Sequence, residues 1–187
     1  MNTNTVKQET CAERVQRAFE SRIDDIETML NPQREDVWLG DDGTMDTVLC
    51  LGDEELRFSD TSSYRDEETG ELDLDALLDD EFDGIADEMY DRFYEYGLAF
   101  DYVEPGTFTD QQEGYLRYQI SYGGPSEEFR FYVSLGPQGY VPHRIEFWFL
   151  DWFDGAHLNV TDDERVQRLW DQFAEVAESA IRESIEA

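Results

Sequence analysis

Three short segments in the second half of the chain decide its fold: YLRYQISY (115–122), EFRFYVSL (128–135) and RIEFWFLDW (144–152). Apolar and polar residues alternate in each of them, which is the period-two pattern of a β-strand. GGPS after the first segment and GPQG after the second carry the glycine and proline typical of tight turns. Because consecutive strands with short connections pair antiparallel, the segments predict a three-strand meander over residues 115–152.

The same alternation assigns side chains to the two faces of this sheet. One face takes the apolar residues Leu116, Tyr118, Ile120 and Tyr122, then Phe129, Phe131, Val133 and Leu135, then Ile145, Phe147 and Phe149. The opposite face takes a mixed set, Arg130, Tyr132, Arg144, Glu146 and Trp148. Trp152 falls on this second face as well, so the face is either covered by the C-terminal helix or open to a partner.

Helices are predicted before and after the meander in the sequence, and they are expected to pack against one face of the sheet. Thr10–Glu13 forms a capping box at the start of an N-terminal helix. A central helix is predicted from Asp73 to Tyr96, with Gly97 as its C-cap. A second capping box, Thr161–Glu164, precedes a single C-terminal helix. The apolar stripe of the N-terminal helix is Ala12, Val15, Phe19, Ile23, Ile26 and Leu30.

The region between the first two helices predicts a smaller β element. Thr47–Leu51 and Glu55–Phe58 are the predicted strands of a hairpin within residues 45–59, which would extend the meander. Residues 59–71 have almost no apolar content, which is typical of a mobile loop. These elements predict one acidic α+β domain over residues 1–187, an antiparallel sheet packed with N-terminal, central and C-terminal helices.

The charge of the chain limits what it binds. Its 187 residues include 46 acids and 14 bases, a net charge of −32. Residues 35–95 hold 23 of the acids and 3 arginines, which places −20 in about a third of the chain. Such a charge repels nucleic acid and anionic membranes, so neither is expected as a direct partner. The expected partners are cations or basic protein surfaces.

The sequence shows neither a transmembrane segment nor a signal peptide, and this predicts a cytoplasmic protein. No apolar run reaches the length of about 18 residues that a transmembrane helix needs, and Met1–Lys7 lacks the apolar core of a signal peptide. Cys11 and Cys50 are the two cysteines, and buried free thiols are the expected state of both.

The central helix carries the candidate functional surface. Asp80, Asp83, Asp87 and Asp91 recur at spacings of three and four, so they form one line opposite the apolar face. Side chains at these spacings lie about 5–6 Å apart, which is of the same order as phosphates along a nucleic-acid strand. The predicted partner-binding set is Asp73, Asp75, Asp79, Asp80, Asp83, Asp87, Glu88, Asp91 and Glu95. This pattern predicts a nucleic-acid mimic that inhibits a basic nucleic-acid-binding protein of the host, such as a restriction or CRISPR component.

Two alternatives stay open at the sequence level. A salt-adapted surface is indicated by one lysine against 13 arginines, although the nearly balanced residues 1–34 oppose it. A metal-dependent enzymatic role would centre on His143, Asp151, Asp154 and His157. Histidines at a strand start and in a loop are more often structural, and no catalytic motif is present, so no catalytic residue, metal or cofactor is predicted.

A resemblance bears on the setting of the protein. FDYVEPGTF (100–108), YQISYGGPSEEFRF (118–131) and RIEFWFLDWFDGA (144–156) resemble an uncharacterised family of small acidic proteins carried by bacterial plasmids and mobile elements. The resemblance covers roughly a third of the chain and does not extend to residues 35–95. It implies a mobile-element setting, where proteins that blunt host defence are common, and it supplies no catalytic residues.

Overall fold

The computed structural model of the chain describes residues 9–41, 43, 46–137 and 139–186, with side chains up to Ser184. The predicted turn residue Gln138, residue 45 of the predicted hairpin and the N-terminal residues 1–8 lie outside this part. The fold is mixed α+β, as predicted. Two compact units are found: the acidic unit, residues 24–95, and the meander unit, which comprises residues up to 23 and from 96 onward.

The described chain forms four α-helices, eight strands and two three-residue 3-10 helices, Arg34–Asp36 and Ser62–Tyr64. The helices are α1 (Cys11–Leu30), α2 (Leu74–Tyr96), α3 (Glu164–Phe173) and α4 (Ala177–Glu186). The first strands are β1 (Val37–Gly40), β2 (Thr47–Leu51) and β3 (Glu54–Phe58). The remaining strands are β4 (Ala99–Val103), β5 (Tyr115–Ser121), β6 (Ser126–Gly136), β7 (Gly139–Asp151) and β8 (Asp154–Asn159).

The meander unit is built on a five-stranded antiparallel sheet in the order β4-β5-β6-β7-β8. The predicted three-strand meander is its centre and is confirmed. The sequence prediction did not include the two edge strands. β4 is a short segment directly after α2, and β8 follows β7 through the two-residue turn Trp152-Phe153. No element was predicted for the residues of β4, and His157 of β8 was predicted to lie in a loop.

One face of this sheet forms the hydrophobic core of the meander unit, as the alternation predicts. Phe129, Phe131 and Phe147 are fully buried there. Phe19 of α1 lies 5.6 Å from Phe147 between ring centroids, and Trp170 of α3 lies 5.3 Å from Phe131. Burial of this aromatic cluster supplies about 1.5–3 kcal/mol per side chain and fixes which face the helices cover.

The predicted apolar face is wrong at the ends of the strands. A register shift between Tyr132 and Val133 interrupts the alternation of β6, and Leu135 beyond it is 75% exposed. Tyr122 follows the last residue of β5 and is 83% exposed. A β-bulge moves every later side chain to a new position, so simple alternation does not extend past it.

The C-terminal helix also differs from its prediction. Asp163 is the N-cap of α3, because its side chain accepts a hydrogen bond from the backbone N–H of Arg165 at 2.9 Å. The Thr161 hydroxyl, predicted to be the cap, instead accepts from the backbone N–H of Ile145 on β7. The predicted single helix is divided into α3 and α4, with turns between Phe173 and Ala177.

The acidic unit has a sheet of its own, in the order β1-β2-β3. The predicted hairpin is confirmed as β2 and β3, but it pairs with β1 and does not extend the meander. All five residues of β2 are buried. β1 was not predicted, because its four residues give too short an alternation to recognise.

Residues 59–71, the predicted mobile loop, carry specific hydrogen bonds. The Asp66 carboxylate accepts from the backbone N–H groups of Thr69 at 2.7 Å and Glu68 at 2.9 Å, and these bonds lower its pKa. Arg65 pairs with Leu72 through a β-bridge and donates to the hydroxyl of Thr47 on β2. The mobility of residues 59–71 stays a prediction. For this segment to move, the hydrogen bonds of Asp66 and Arg65 would have to break.

Two local predictions concern the helix ends. The capping box of α1 is confirmed, since the Thr10 N–H donates to Glu13 Oε2 at 2.8 Å and the Glu13 N–H donates to the Thr10 hydroxyl at 3.3 Å. Ala12, however, is exposed, and Cys11 takes the buried position. Gly97 follows α2 without the positive φ of a glycine C-cap. A Cβ there would lie 2.1 Å from the Tyr118 ring, so close packing explains this glycine.

Both cysteines are buried free thiols, as predicted. Burial raises the pKa of both, and at Cys11 a hydrogen bond with Asp154 adds to the effect. These thiols stay protonated at neutral pH and are structural.

Candidate functional site

Helix α2 separates an apolar face from an acidic one. Its buried residues are Leu77, Leu78, Ile85, Met89 and Phe93. Ile85, Met89 and Phe93 follow one another at spacings of four, and Leu78 precedes Ile85 by seven residues, or about two turns, so these residues occupy one side of the helix. Leu74, Phe82 and Tyr96, also predicted on this side, are half-buried. The packing of this side fixes the direction in which the opposite side projects.

All nine predicted partner-binding acids are exposed. Three of them have partners in the described chain. The Asp73 carboxylate accepts from the backbone N–H of Ala76 at the start of α2. Asp79 pairs with Arg34 at 2.6 Å, and Glu88 pairs with Arg92 at 3.0 Å. These three carboxylates are partly neutralised or committed to the helix, so they contribute less free charge than the others.

The other six acids have no hydrogen-bond or ion-pair partner among the described residues: Asp75, Asp80, Asp83, Asp87, Asp91 and Glu95. The line Asp80–Asp91 spans eleven residues, or about 16 Å at 1.5 Å per residue. Its four charges are about 5–6 Å apart. A duplex strand presents one charge per 3.4 Å of its axis, so the two spacings are of the same order. We call these four residues the acidic line.

The four residues of the enzymatic alternative do not share a site. His143 contacts Ser134 and Glu113, whereas His157 stacks on Trp148 with 4.5 Å between ring centroids. Asp151 and Asp154 are held by Arg14 and by the backbone N–H of Cys11. His143 and Asp151 lie eight residues apart on β7, about 26 Å at 3.3 Å per residue.

No metal centre is formed in the described part of the chain, where no group of three or more His, Cys, Asp and Glu side chains could hold an ion. The helices of the same residues also include none with the length and apolar content needed to cross a bilayer.

The second face of the five-stranded sheet lines a groove of about 1090 Å³. Residues of β5, β6 and β7 form its floor, and the loop residues Phe108–Glu113 form one wall. We call this feature the sheet groove. Helices α1 and α3 pack on the opposite, phenylalanine face. That the groove face binds a partner stays a prediction.

Charged and aromatic side chains alternate along the floor of the sheet groove. The Arg130 guanidinium lies 3.9 Å from the Trp148 ring centroid and 4.8 Å from that of Tyr115. His157 stacks on Trp148, which extends the row. Burial raises the pKa of Tyr115 to about 12, so its phenol stays neutral. The row places one cation between two aromatic rings, which fixes the plane of the guanidinium.

Each arginine of the sheet groove also has a carboxylate partner. Arg130 Nε donates to the buried Glu128 at 2.6 Å, and Arg117 binds Asp101 through two hydrogen bonds, at 2.9 Å and 2.6 Å. Arg144 lies 3.0 Å from Glu113. The lining thus carries charge of both signs in a chain with a net charge of −32.

The alternation predicted Trp152 as the last residue of the third strand. In the structure β7 ends at Asp151, and Trp152 lies in the turn that follows, at the rim of the groove. Its φ of +54° belongs to the left-handed region, which is strained for a bulky side chain. The indole lies against Gly124, where an added Cβ would be 2.9 Å from the indole nitrogen. The aspartates Asp151 and Asp154 on either side of Trp152-Phe153, between two alternating segments, are the sequence signal that would have located this turn.

Comparisons with protein-family models, with curated proteins and with solved structures find no match to the chain. The resemblance of residues 100–156 to plasmid-borne acidic proteins therefore stays a prediction.

Proposed function

We propose that the chain is a nucleic-acid-mimicking inhibitor, which binds the basic nucleic-acid site of a host defence protein of restriction or CRISPR type. The acidic line carries the proposal. Asp80, Asp83, Asp87 and Asp91 are exposed and have no ion-pair partner among the described residues. A surface that evolved only for stability would gain from pairing such charges, as Arg34 pairs with Asp79.

The distribution of charge supports the proposal. Residues 24–95 contain 26 acids and 4 arginines, a net charge of −22. The residues of the meander unit contain 20 acids and 10 bases, a net charge of −10. Like charges held together repel one another, and a basic surface that covers them relieves the repulsion and accelerates association.

The test compares two variants with the same change in net charge. The first neutralises the acidic line by Asp80→Asn, Asp83→Asn, Asp87→Asn and Asp91→Asn. The matched control neutralises four exposed acids near the C-terminus by Asp162→Asn, Asp171→Asn, Glu175→Gln and Glu183→Gln. Binding is measured by competition with duplex DNA for a panel of restriction and CRISPR proteins. Circular dichroism establishes that each variant is folded.

We expect wild type to displace DNA from at least one target, with an affinity that falls as salt is raised. The acidic-line variant should lose at least about tenfold in affinity, from several charge contacts that each contribute up to about 1 kcal/mol. The control should stay within about threefold. Equal losses in both variants would show that net charge alone acts, and no competition with any target would contradict the proposal.

Salt adaptation is the second candidate function, because acids exceed bases in both units. It predicts unfolding when salt is removed, since a densely acidic surface then repels itself without screening. The inhibitor proposal predicts a folded protein at low salt. Thermal unfolding at 10 mM and 2 M NaCl separates the two.

A further inference from the structure

The sheet groove is formed by different residues from those of the acidic line. We infer that it binds a small amphipathic carboxylate, whose carboxylate pairs with the outer nitrogens of Arg130 and whose aromatic body rests against Trp152 at the rim. The groove volume of about 1090 Å³ suits a ligand of cofactor or metabolite size.

Arg130 supplies the anion-binding group. Its side chain is 13% exposed and lines the groove. The two rings beside it fix its plane, and Nε is engaged by Glu128. The two terminal nitrogens have no hydrogen-bond partner among the described residues. A guanidinium held in this way presents two parallel N–H donors, which match the two oxygens of a carboxylate.

Trp152 supplies the apolar surface. It is 86% exposed and adopts a φ of +54°, where glycine or asparagine would be less strained. Stability therefore does not explain a tryptophan at this position. Backbone strain of this kind clusters at ligand-contacting positions, and the indole lines the groove beside Gly124. Leu150 on β7 and the exposed Tyr122 extend the apolar rim.

The electrostatics favour a ligand with a single anionic group. The lining has three arginines and three acids, Asp110, Glu113 and Glu128. Asp101 and Glu146 also pair with Arg117 and Arg144, so the groove and its immediate surroundings carry more acids than arginines. An anion is attracted only at short range, because the chain as a whole repels it. A polyanion such as nucleic acid would meet this repulsion along its whole length.

The experiment uses 1-naphthaleneacetate as the probe, with 1-naphthaleneacetamide, acetate and inorganic phosphate as comparisons. Binding to the full chain is followed by NMR, from the side-chain N–H signals of Arg130 and Trp152. We expect a Kd of about 1 mM for naphthaleneacetate, typical of a ligand of its size. The neutral amide should bind at least about tenfold more weakly, because it lacks the second carboxylate oxygen and the charge.

Three variants locate the site. Arg130→Lys keeps the charge but loses the paired donors, and should weaken naphthaleneacetate binding about tenfold. Trp152→Gly removes the indole and the strain together, so it should weaken binding while the Tm does not fall. Arg182→Lys, on an exposed helical arginine outside the groove, should change neither.

Several outcomes would overturn the inference. Equal affinity for naphthaleneacetate and its amide would show that the groove binds only the apolar body of the probe and does not recognise the carboxylate. Phosphate competing as well as naphthaleneacetate would indicate a general anion site. No shift of either signal at 10 mM probe would exclude binding. Raising NaCl from 10 to 500 mM should not weaken binding, since it screens repulsion by the chain, whereas binding through the acidic line weakens with salt.

Discussion

The acidic line on α2 and the sheet groove handle charge in opposite ways. In the acidic line, four carboxylates follow one another at helical spacing without an ion-pair partner among the described residues. In the groove, every arginine has a carboxylate partner, and Arg130 and Arg144 also lie over aromatic rings. The first arrangement stores repulsion that a basic partner can release. The second stores none and fixes the positions of its donors.

This difference has an energetic consequence. Removing one charge from a buried pair leaves the other uncompensated, whereas removing a charge from an unpaired row relieves its neighbours. Similar neutralising substitutions should therefore destabilise the protein in the groove and stabilise it on α2.

The largest effect is expected at the buried pair of the groove. Glu128 and Arg130 have side chains 4% and 13% exposed. Glu128→Leu leaves the Arg130 charge without its partner and should lower the free energy of unfolding by about 3 kcal/mol. The double variant Glu128→Leu/Arg130→Met should recover most of this loss, because no buried charge remains. Urea unfolding of the two variants measures it, and a double variant as unstable as the single one would rule out the charge explanation.

The contrast between these regions also separates what the sequence predicts from what it does not. The acidic line was predictable because the α-helix has a single period of 3.6 residues. This period alone places its four aspartates on the side opposite the buried residues of α2. Nothing beyond α2 is needed to place them. The same holds for the capping box of α1, which involves residues three apart.

The groove depends on strand register, which alternation does not supply. Alternation placed Arg130 and Trp148 on one face, but Arg117 opposite Arg130 follows only from the pairing of β5 with β6. Trp152 lies at the rim because a tight turn ends β7 one residue earlier than its alternation indicates. Local patterns carry no information about such cross-strand neighbours.

Competition among polar groups explains the misassigned cap. Thr161 fits a capping box, yet its hydroxyl bonds to β7, and Asp163 caps α3 two residues later. Arg165 donates a side-chain hydrogen bond to Asp163 and lowers its pKa, which keeps the cap ionised. Either residue satisfies the helix start locally, so the choice between them comes from tertiary structure.

An intermediate effect of opposite sign is expected for the acidic line itself. Neutralising Asp80, Asp83, Asp87 and Asp91 to asparagine removes three neighbouring like-charge pairs, each worth a few tenths of a kcal/mol. The free energy of unfolding should rise by about 1 kcal/mol at 10 mM NaCl, and the gain should shrink at 1 M NaCl as screening increases. Thermal unfolding at both salt concentrations measures it. A loss of stability at low salt would mean that these carboxylates have stabilising partners.

The smallest expected effect separates local position from total charge. Asp75 lies in the first turn of α2 and Glu95 in its last turn, and both are exposed without an ion-pair partner among the described residues. The helix dipole favours a negative charge at the N-terminus and disfavours it at the C-terminus, by about 0.3–1 kcal/mol each. Asp75→Asn should therefore lower the free energy of unfolding relative to Glu95→Gln. For exposed side chains at the low end of that range, the difference is about 0.6 kcal/mol in low salt.

The difference between these two variants is the informative quantity. With a net charge of −32, any neutralisation relieves some general repulsion and shifts both variants in the stabilising direction by a similar amount. Subtracting one result from the other cancels that shift and leaves the dipole contribution. Equal values for Asp75→Asn and Glu95→Gln would mean that α2 responds only to total charge. The position of the carboxylates along the helix would then have no effect on stability, and the acidic line would differ from the rest of the acidic surface only in what it binds.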